Sequence, residues 1–299
     1  MVFWRALHCS PRSTHASDRR HRGKRRTLST PHIDTTYKTV KIIVKATCTT
    51  SIRCQMKAEY QSHVVPVSKL SAKVIEEMAS IYLENYDGSS QKLFRHDLSQ
   101  KDEALLLYYA EELVGFTTLK VYEVSWGGQL VRVLYSGDTI VNALHWGQQK
   151  LAFSWITRLG EIKRKSPTVP LYWFLLVKGH RTFKYLSVFG KSFFPHWEID
   201  RIDLKPLADQ LATEMFGLEY NSKTGVVEFC ESRGHLKDSI AYPTPEELTK
   251  PATQFFLAQN PGYLRGHELV CVCEMELFNM KPLTARVFRR ALSEEANCL

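Results

Sequence analysis

Apolar and polar residues alternate with strand and helix periods over the first half of the sequence, beginning near Tyr60. HVVPVSKL predicts a short strand that ends at Ser68, whose side chain can cap a helix over residues 69–86 with apolar positions at i, i+4 and i+8. The turn pair Asp87-Gly88 ends that helix. Three strands joined by short polar connections follow at residues 103–110, 112–124 and 129–141, a pattern typical of an antiparallel meander.

The clearest helix in the sequence follows the third of these strands. It is predicted to begin at Asn142, a preferred N-cap residue, and it carries an apolar stripe up to Pro167. The continuously apolar segment PLYWFLLV then predicts a strand buried on both faces, and residues 181–194 predict another helix. A helix between two strands gives a right-handed parallel crossover, so we expect a ligand site beside the carboxyl ends of these strands.

The second part of the chain has a less regular pattern. Helices are predicted over residues 204–216, 245–259 and 284–292, and strands over residues 224–229 and 267–277. We expect residues 198–299 to form a C-terminal α/β extension that packs on the same domain as residues 58–197.

Positive charge is concentrated at the N-terminus. The chain has a net charge of +9, but residues 1–57 contain 13 Lys+Arg and two acidic residues, so residues 58–299 carry −2. This balance does not favour a nucleic-acid groove in residues 58–299. Residues 1–57 lack the apolar segment of a secretory signal, and we expect a disordered basic extension; a transit peptide or a nucleic-acid-binding arm are the alternatives.

Two further features bear on the class of protein. The apolar run at residues 171–177 is far shorter than the roughly 20 residues of a membrane helix, so we expect a soluble, cytoplasmic protein without a membrane partner. Cys271 and Cys273 share one face of a predicted strand with His267 and could provide three metal ligands. Because neither a CxxC pair nor a fourth ligand accompanies them, we expect buried thiols and no metal.

Three segments between Tyr60 and Trp197 have features of one known superfamily. ELVGFTTL resembles its third strand, and SGDTIV with the helix at Asn142 resembles its fourth strand and acyl-CoA-binding helix. Tyr185 lies where that superfamily has a tyrosine before a Gly-Phe pair, reversed here to Phe189-Gly190. By these segments the chain resembles a divergent member of the GNAT (Gcn5-related N-acyltransferase) superfamily. The resemblance implies an α/β (α+β) fold with a mixed, mostly antiparallel sheet flanked by helices.

The resemblance also implies a reaction: transfer of an acyl group from a thioester, acyl-CoA or an acyl carrier protein, to an amine or hydroxyl of a small molecule. The family's pyrophosphate loop, Gln/Arg-x-x-Gly-x-Gly/Ala, corresponds here to NALHWGQQKLA, which has a single glycine. The groups that would contact the co-substrate are then Gly147, Gln148 and Gln149, with Lys178 and Arg181 beyond the buried strand. The degenerate loop leaves a catalytically inactive binding module as the alternative, and nucleic-acid binding through residues 1–57 as a third.

Aminolysis of a thioester needs a base for the amine and an acid for the leaving thiolate. Tyr185 is the candidate acid by its position in the resemblance, and Asp138 is the candidate base. His145 has a pKa range suited to proton transfer. Each residue also has a structural alternative: Tyr185 as a core aromatic, Asp138 as a helix cap, and His145 as a capping or solvent-facing residue.

Overall fold

The computed structural model describes residues 59–293, which form ten strands and nine helices. The strands are β1 (Tyr60–Pro66), β2 (Tyr86–Asp87), β3 (Glu103–Tyr109), β4 (Glu112–Trp126), β5 (Gln129–Val141), β6 (Leu171–Val177), β7 (Tyr220–Asn221), β8 (Val226–Val227), β9 (His235–Leu236) and β10 (Glu268–Glu274). The helices are α1 (Ala72–Asn85), α2 (Gln91–Ser99), α3 (Lys150–Arg164), α4 (His180–Phe189), α5 (Lys205–Phe216), α6 (Asp238–Ala241), α7 (Pro245–Leu248), α8 (Pro251–Gln259) and α9 (Pro282–Ser293).

Eight strands form one sheet in the order β1-β3-β4-β5-β6-β10-β8-β7, and β2 pairs separately with β9. The pairs of the large sheet are antiparallel except for β5 and β6, which run parallel through the crossover helix α3. This topology confirms the predicted mixed, mostly antiparallel sheet flanked by helices. The meander β3–β4–β5 also lies where the sequence predicted it.

Helices cover both faces of the sheet, and consecutive residues of β5 point alternately to one face and the other. Leu134 belongs to the core under α3, α4 and α9. Val133 points to the opposite face, where it packs in the core under α5. Ile140, later in the same strand, belongs to a third core under α1 and α2. One face of the sheet therefore carries α3, α4 and α9, and the other carries α1 and α2 beside α5.

The first two helices are capped by serines other than Ser68. Ser71, not Ser68, caps α1: its hydroxyl accepts a hydrogen bond of 3.3 Å from the Val74 N–H, while a 3-10 turn occupies the residues before it. The prediction for Ser68 was therefore wrong by three residues. Ser90 caps α2 in the same way, and α2 was not predicted because its apolar pattern is weak: only Phe94 and Leu98 of its nine residues are buried.

The helix predicted from Asn142 begins later, so that prediction was wrong. Residues Ala143–His145 form a 3-10 turn, the Asn142 side chain makes no capping hydrogen bond, and α3 starts at Lys150. Gly147 separates the two elements because its φ of +91° cannot continue a right-handed helix.

The C-terminal residues extend the same sheet. β10 pairs antiparallel with β6, and β8 then pairs with β10. The helix predicted over residues 245–259 is two helices, since the ring of Pro251 cannot continue α7. Across residues 59–293 no helix has the length and apolar composition to cross a membrane. The basic extension predicted for residues 1–57 lies outside the described residues.

Candidate active site

β5 and β6 pair along only part of their lengths. The parallel pairing covers five residue pairs and ends at Ser136↔Leu175. Beyond that point β5 continues to Val141 beside β4, and β6 continues to Val177 beside β10. The two strands therefore part, and we call the opening between them the fork.

A β-bulge in β5 lies at the fork. Between two regular pairs of the β4–β5 ladder, Thr118 of β4 stands opposite both Gly137 and Asp138 of β5. A Cβ atom at Gly137 would overlap the hydroxyl of Thr118, so this position requires glycine. The extra residue shifts the alternation of side chains, and Asp138 and Ile140 come to the face that carries Tyr135.

A cavity of about 600 Å³ opens at the fork. On the α1–α5 face its wall includes Tyr135 and Asp138, and through the fork it reaches Trp173 and Tyr185. Three of the predicted site residues line this one cavity, namely Asp138, Lys178 and Tyr185.

The two most buried lysines of the cavity wall are each paired with a carboxylate. Lys101 Nζ donates to Asp97 Oδ2 at 2.7 Å, and Lys178 Nζ lies 3.0 Å from Glu268 Oε1. Burial alone lowers the pKa of Lys178, but the carboxylates of Glu268 and Asp138 outweigh it and raise that pKa above its ordinary value. Lys178, predicted as a contact for the co-substrate, is thus a charged residue already neutralised by Glu268.

Asp138 differs from the other acidic residues of the cavity. Its side chain is half-buried, and within residues 59–293 its carboxylate makes no hydrogen bond and no ion pair. Burial raises the pKa of Asp138 to about 6, with a further rise from Asp97 that Lys178 and Lys101 oppose. Asp138 does not cap α3. A carboxyl group with this pKa can exchange protons near neutral pH.

Tyr185 lies on the α4 side of the fork in a group of stacked rings. Its ring stacks on Phe189 at 6.1 Å, and Phe189 stacks on Trp155 at 5.1 Å. The indole N–H groups of Trp155 and Trp173 both donate to Ser136 Oγ, at 3.3 and 3.0 Å. We call Trp155, Trp173, Tyr185 and Phe189 the aromatic cluster. It fills the fork on the α3–α4 face, and two of its members, Trp173 and Tyr185, line the cavity.

The predicted anion-binding residues are at the start of α3, outside this cavity. Gln148 Oε1 accepts hydrogen bonds from the N–H groups of Lys150 at 2.7 Å and Leu151 at 3.3 Å. These are the first N–H groups of the helix, the ones that an anion would otherwise bind. Gly147 and Gln149 lie beside this cap. As arranged, this helix end does not fit the pyrophosphate of CoA, because Gln148 already occupies the groups that would hold it.

His145 and Arg181 also lie outside the cavity wall. The hydroxyl of Tyr60 is hydrogen-bonded to His145 Nδ1 at 3.0 Å, and His145 belongs to the 3-10 turn rather than to a first helical turn. Arg181 donates to both carboxylate oxygens of Glu247, at 2.9 and 2.8 Å, and to the carbonyl of Ile240 at 2.5 Å. It thereby ties α4 to the residues around α6 and α7.

Several charged residues of the cavity carried no prediction: Asp97, Lys101, Lys120 and Glu268. Asp97 and Lys101 were missed together with α2, although their spacing of four residues is typical of a helical ion pair. Gly137 inside the apolar strand pattern was the feature that could have predicted the bulge.

The two cysteines of β10 are buried core residues. Burial raises the pKa of the Cys273 thiol to about 12 and that of Cys271 well above its usual value. His267 precedes the strand. In the part of the chain that the structure describes, no three potential metal ligands come together.

No protein-family model matches this sequence, and no curated protein matches it. Among solved structures it is similar to a conserved protein of unknown function from Enterococcus faecalis V583, described as a probable N-acyltransferase, with 13% identity and a TM-score of 0.34 over 44% of this chain and 33% of that one. The chain therefore matches about a third of that protein's length.

Two structures from Escherichia coli show a similar level of likeness. The GNAT family N-acetyltransferase YhbS in complex with CoA is 14% identical with a TM-score of 0.31, over 44% of this chain and 68% of its own. ElaA is 16% identical with a TM-score of 0.30, over 48% of this chain and 93% of its own. The order and pairing of its strands give the described part of the chain the mixed, mostly antiparallel sheet that the resemblance predicted.

Proposed function

We propose that this protein transfers an acyl group from a thioester to an amine or hydroxyl of a small molecule held in the cavity. The observation that carries the proposal is the carboxylate of Asp138, which has no partner within residues 59–293 and lines the same cavity as Tyr185 where β5 and β6 part. A base and an acid beside one cavity are the groups that aminolysis of a thioester needs.

The proposed chemistry accounts for every proton. An amine that enters as an ammonium must lose two protons as the N–C bond forms and the C–S bond breaks. Asp138 accepts the first proton and passes it to solvent. Tyr185 donates the proton of its hydroxyl to the departing sulfur and regains one from the nitrogen, so the products are an amide and a free thiol.

The structure identifies the acyl donor less closely than the acceptor in the cavity. Acyl-CoA and an acyl carrier protein present the same pantetheine arm to the fork, and they differ in what lies beyond its phosphate. Because Gln148 occupies the first N–H groups of α3, CoA could use that helix end only after this side chain turned away. A donor recognised through its pantetheine arm needs no such change.

The test uses the full chain and measures free thiol released from acetyl-CoA and from acetyl-pantetheine in the presence of small amines. We expect thiol release that depends on the amine, and a loss of about tenfold or more in Tyr185→Phe, which keeps the ring stacking but lacks the acid. Tyr242→Phe, an exposed tyrosine, is the matched control. Absence of amine-dependent release with both donors, or an unchanged rate in Tyr185→Phe, would contradict the proposal.

A non-catalytic binding module is the second candidate. The filled fork on the α3–α4 face and the capped start of α3 favour it, since both leave less room for a thioester. Amines that raise the melting temperature of the full chain without any thiol release would support this candidate.

A further inference from the structure

The charges that line the cavity are paired with two exceptions. Besides the lysine–carboxylate pairs described above, Arg233 lies 3.0 Å from Glu219. Lys120 and Asp138 also line the cavity, and neither makes a hydrogen bond or an ion pair through its side chain with any residue in the range 59–293. Among residues 59–293, one carboxylate and one ammonium group therefore face the cavity without a partner.

The two groups project from neighbouring strands to the same face. Lys120 of β4 stands directly opposite Tyr135 of β5, and opposite residues of a ladder share a face. The bulge brings Asp138 to that face as well. From the spacing of strands and the rise per residue, their Cα atoms lie roughly 8 Å apart. Their charged groups do not form an ion pair with each other.

A half-buried charge without a partner is unfavourable. A ligand that carries one positive and one negative charge would relieve this cost at Asp138 and at Lys120. A simple amine would satisfy Asp138 and leave Lys120 unpaired. A carboxylic acid would do the reverse. A zwitterion satisfies both.

The remaining wall of the cavity indicates the body of the ligand. It is lined by apolar side chains from α2, β6 and α5 and from the segment after β8: Leu93, Phe94, Leu176, Met215, Phe216 and Phe229. Such a wall favours an aliphatic or aromatic group. The volume of about 600 Å³ is larger than an amino acid needs and extends through the fork towards Tyr185.

We propose that the cavity binds an apolar amino acid as a zwitterion, with its ammonium group on Asp138 and its carboxylate on Lys120. This inference rests on the proposed function in one respect, since the same amine would be the acyl acceptor. It adds that Lys120 determines specificity by selecting amines that carry a carboxylate.

The test measures binding to the full chain by calorimetry without any acyl donor. The probes are phenylalanine, tryptophan, leucine and methionine, each compared with its decarboxylated amine and its deaminated acid. We expect at least one amino acid to bind about tenfold more tightly than either of its analogues, because each charged contact adds to the affinity.

Variants separate the two contacts. Lys120→Gln should remove the advantage of the amino acid over its amine, and Lys120→Arg should restore it. Asp138→Asn should weaken the amino acid and the amine but not the deaminated acid. Lys92→Gln, which changes an exposed lysine on α2 outside the cavity, is the matched control and should change nothing.

Two results would overturn the inference: no amino acid binds at millimolar concentration, or Lys120→Gln leaves the preference unchanged. Failure of the inference and failure of the proposed function are distinguishable. Amino-acid binding without thiol release would contradict acyl transfer alone. Thiol release with amines that lack a carboxylate, at a rate that Lys120→Gln does not change, would contradict the zwitterion alone.

Discussion

The start of α3 and the cavity at the fork both carry polar residues suited to ligand binding, but those residues differ in where they find partners. At α3, Gln148 accepts from the N–H groups of Lys150 and Leu151, so the helix end is satisfied within the chain. In the cavity, Asp138 and Lys120 have no partner within residues 59–293. Residue type alone predicted a ligand site both at the start of α3 and at Asp138. The hydrogen bonds in the structure distinguish the two regions.

The two regions also differ in what they do for stability. A capped helix end stabilises the folded chain, whereas a half-buried carboxylate without a partner destabilises it. Residues that reduce stability without structural compensation are expected at functional sites.

The largest effect is expected from Asp138→Asn. Removal of a general base lowers the rate of thioester aminolysis by about 100-fold or more, measured as amine-dependent thiol release by the full chain. Asp87→Asn, at an exposed acidic residue of β2, controls for the loss of a charge. His145→Ala tests the other candidate base and should change the rate by less than about twofold, since His145 lies outside the cavity wall. A large loss in His145→Ala with none in Asp138→Asn would reverse the comparison.

Ser136→Ala should disrupt the aromatic cluster. It leaves the buried N–H groups of Trp155 and Trp173 without their acceptor, so we expect the free energy of unfolding in urea to fall by about 2 kcal/mol. Ser125→Ala, at an exposed serine of β4, should change it by less than about 0.5 kcal/mol. Equal stability of Ser136→Ala and the unmodified chain would show that this hydrogen bonding does not hold the fork.

The stability of the folded chain should also depend on the ionisation of Asp138. Its pKa of about 6 in the folded state exceeds the value of about 3.9 in an unfolded chain. Its contribution to stability is therefore fully present below about pH 4 and is lost as pH rises through 6. We expect Asp138→Asn to be more stable than the unmodified chain by about 1–2 kcal/mol at pH 8 and equally stable at pH 4, measured by urea unfolding. A variant less stable at pH 8 would mean that the carboxylate has a stabilising partner.

Gln148→Ala should have the smallest effect. It removes the acceptor for two helix N–H groups, so the chain loses about 1 kcal/mol of stability. The freed groups can then bind phosphate, and the affinity for CoA relative to pantetheine should rise by up to about fivefold in calorimetry. Gln149→Ala, whose side chain makes no capping hydrogen bond, is the control. An unchanged affinity ratio would show that Gln148 does not close this helix end.

The sequence predicted the large elements because their apolar periods are long and consistent. The meander, the buried strand β6 and the sheet type followed from periodicity, and Asp138 followed from its place near the end of β5. The bulge at Gly137 could not be placed from periodicity, since one inserted residue changes the face of a side chain without changing composition. Lys120 was missed because a polar residue in a strand is usually exposed. It is distinguished by its place in the cavity wall and by the absence of a side-chain partner among residues 59–293.

The positions of helix ends depended on local competition that spacing does not resolve. Asn142 and Ser68 are good caps by residue type, but Gly147 and Ser71 decide where α3 and α1 begin. The pairing of Lys178, just after β6, with Glu268 of β10 depends on a tertiary contact and has no local pattern.

In the proposed reaction the ionised carboxylate of Asp138 takes the proton of the acceptor amine. The most direct test is the pH dependence of amine-dependent thiol release between pH 5 and 9, for the unmodified chain and for Asp138→Asn. The unmodified chain should show a rise with an apparent pKa of about 6 that the variant lacks, so that the ratio of their rates grows up to about pH 7 and then stays constant. A ratio that does not change with pH would contradict the claim.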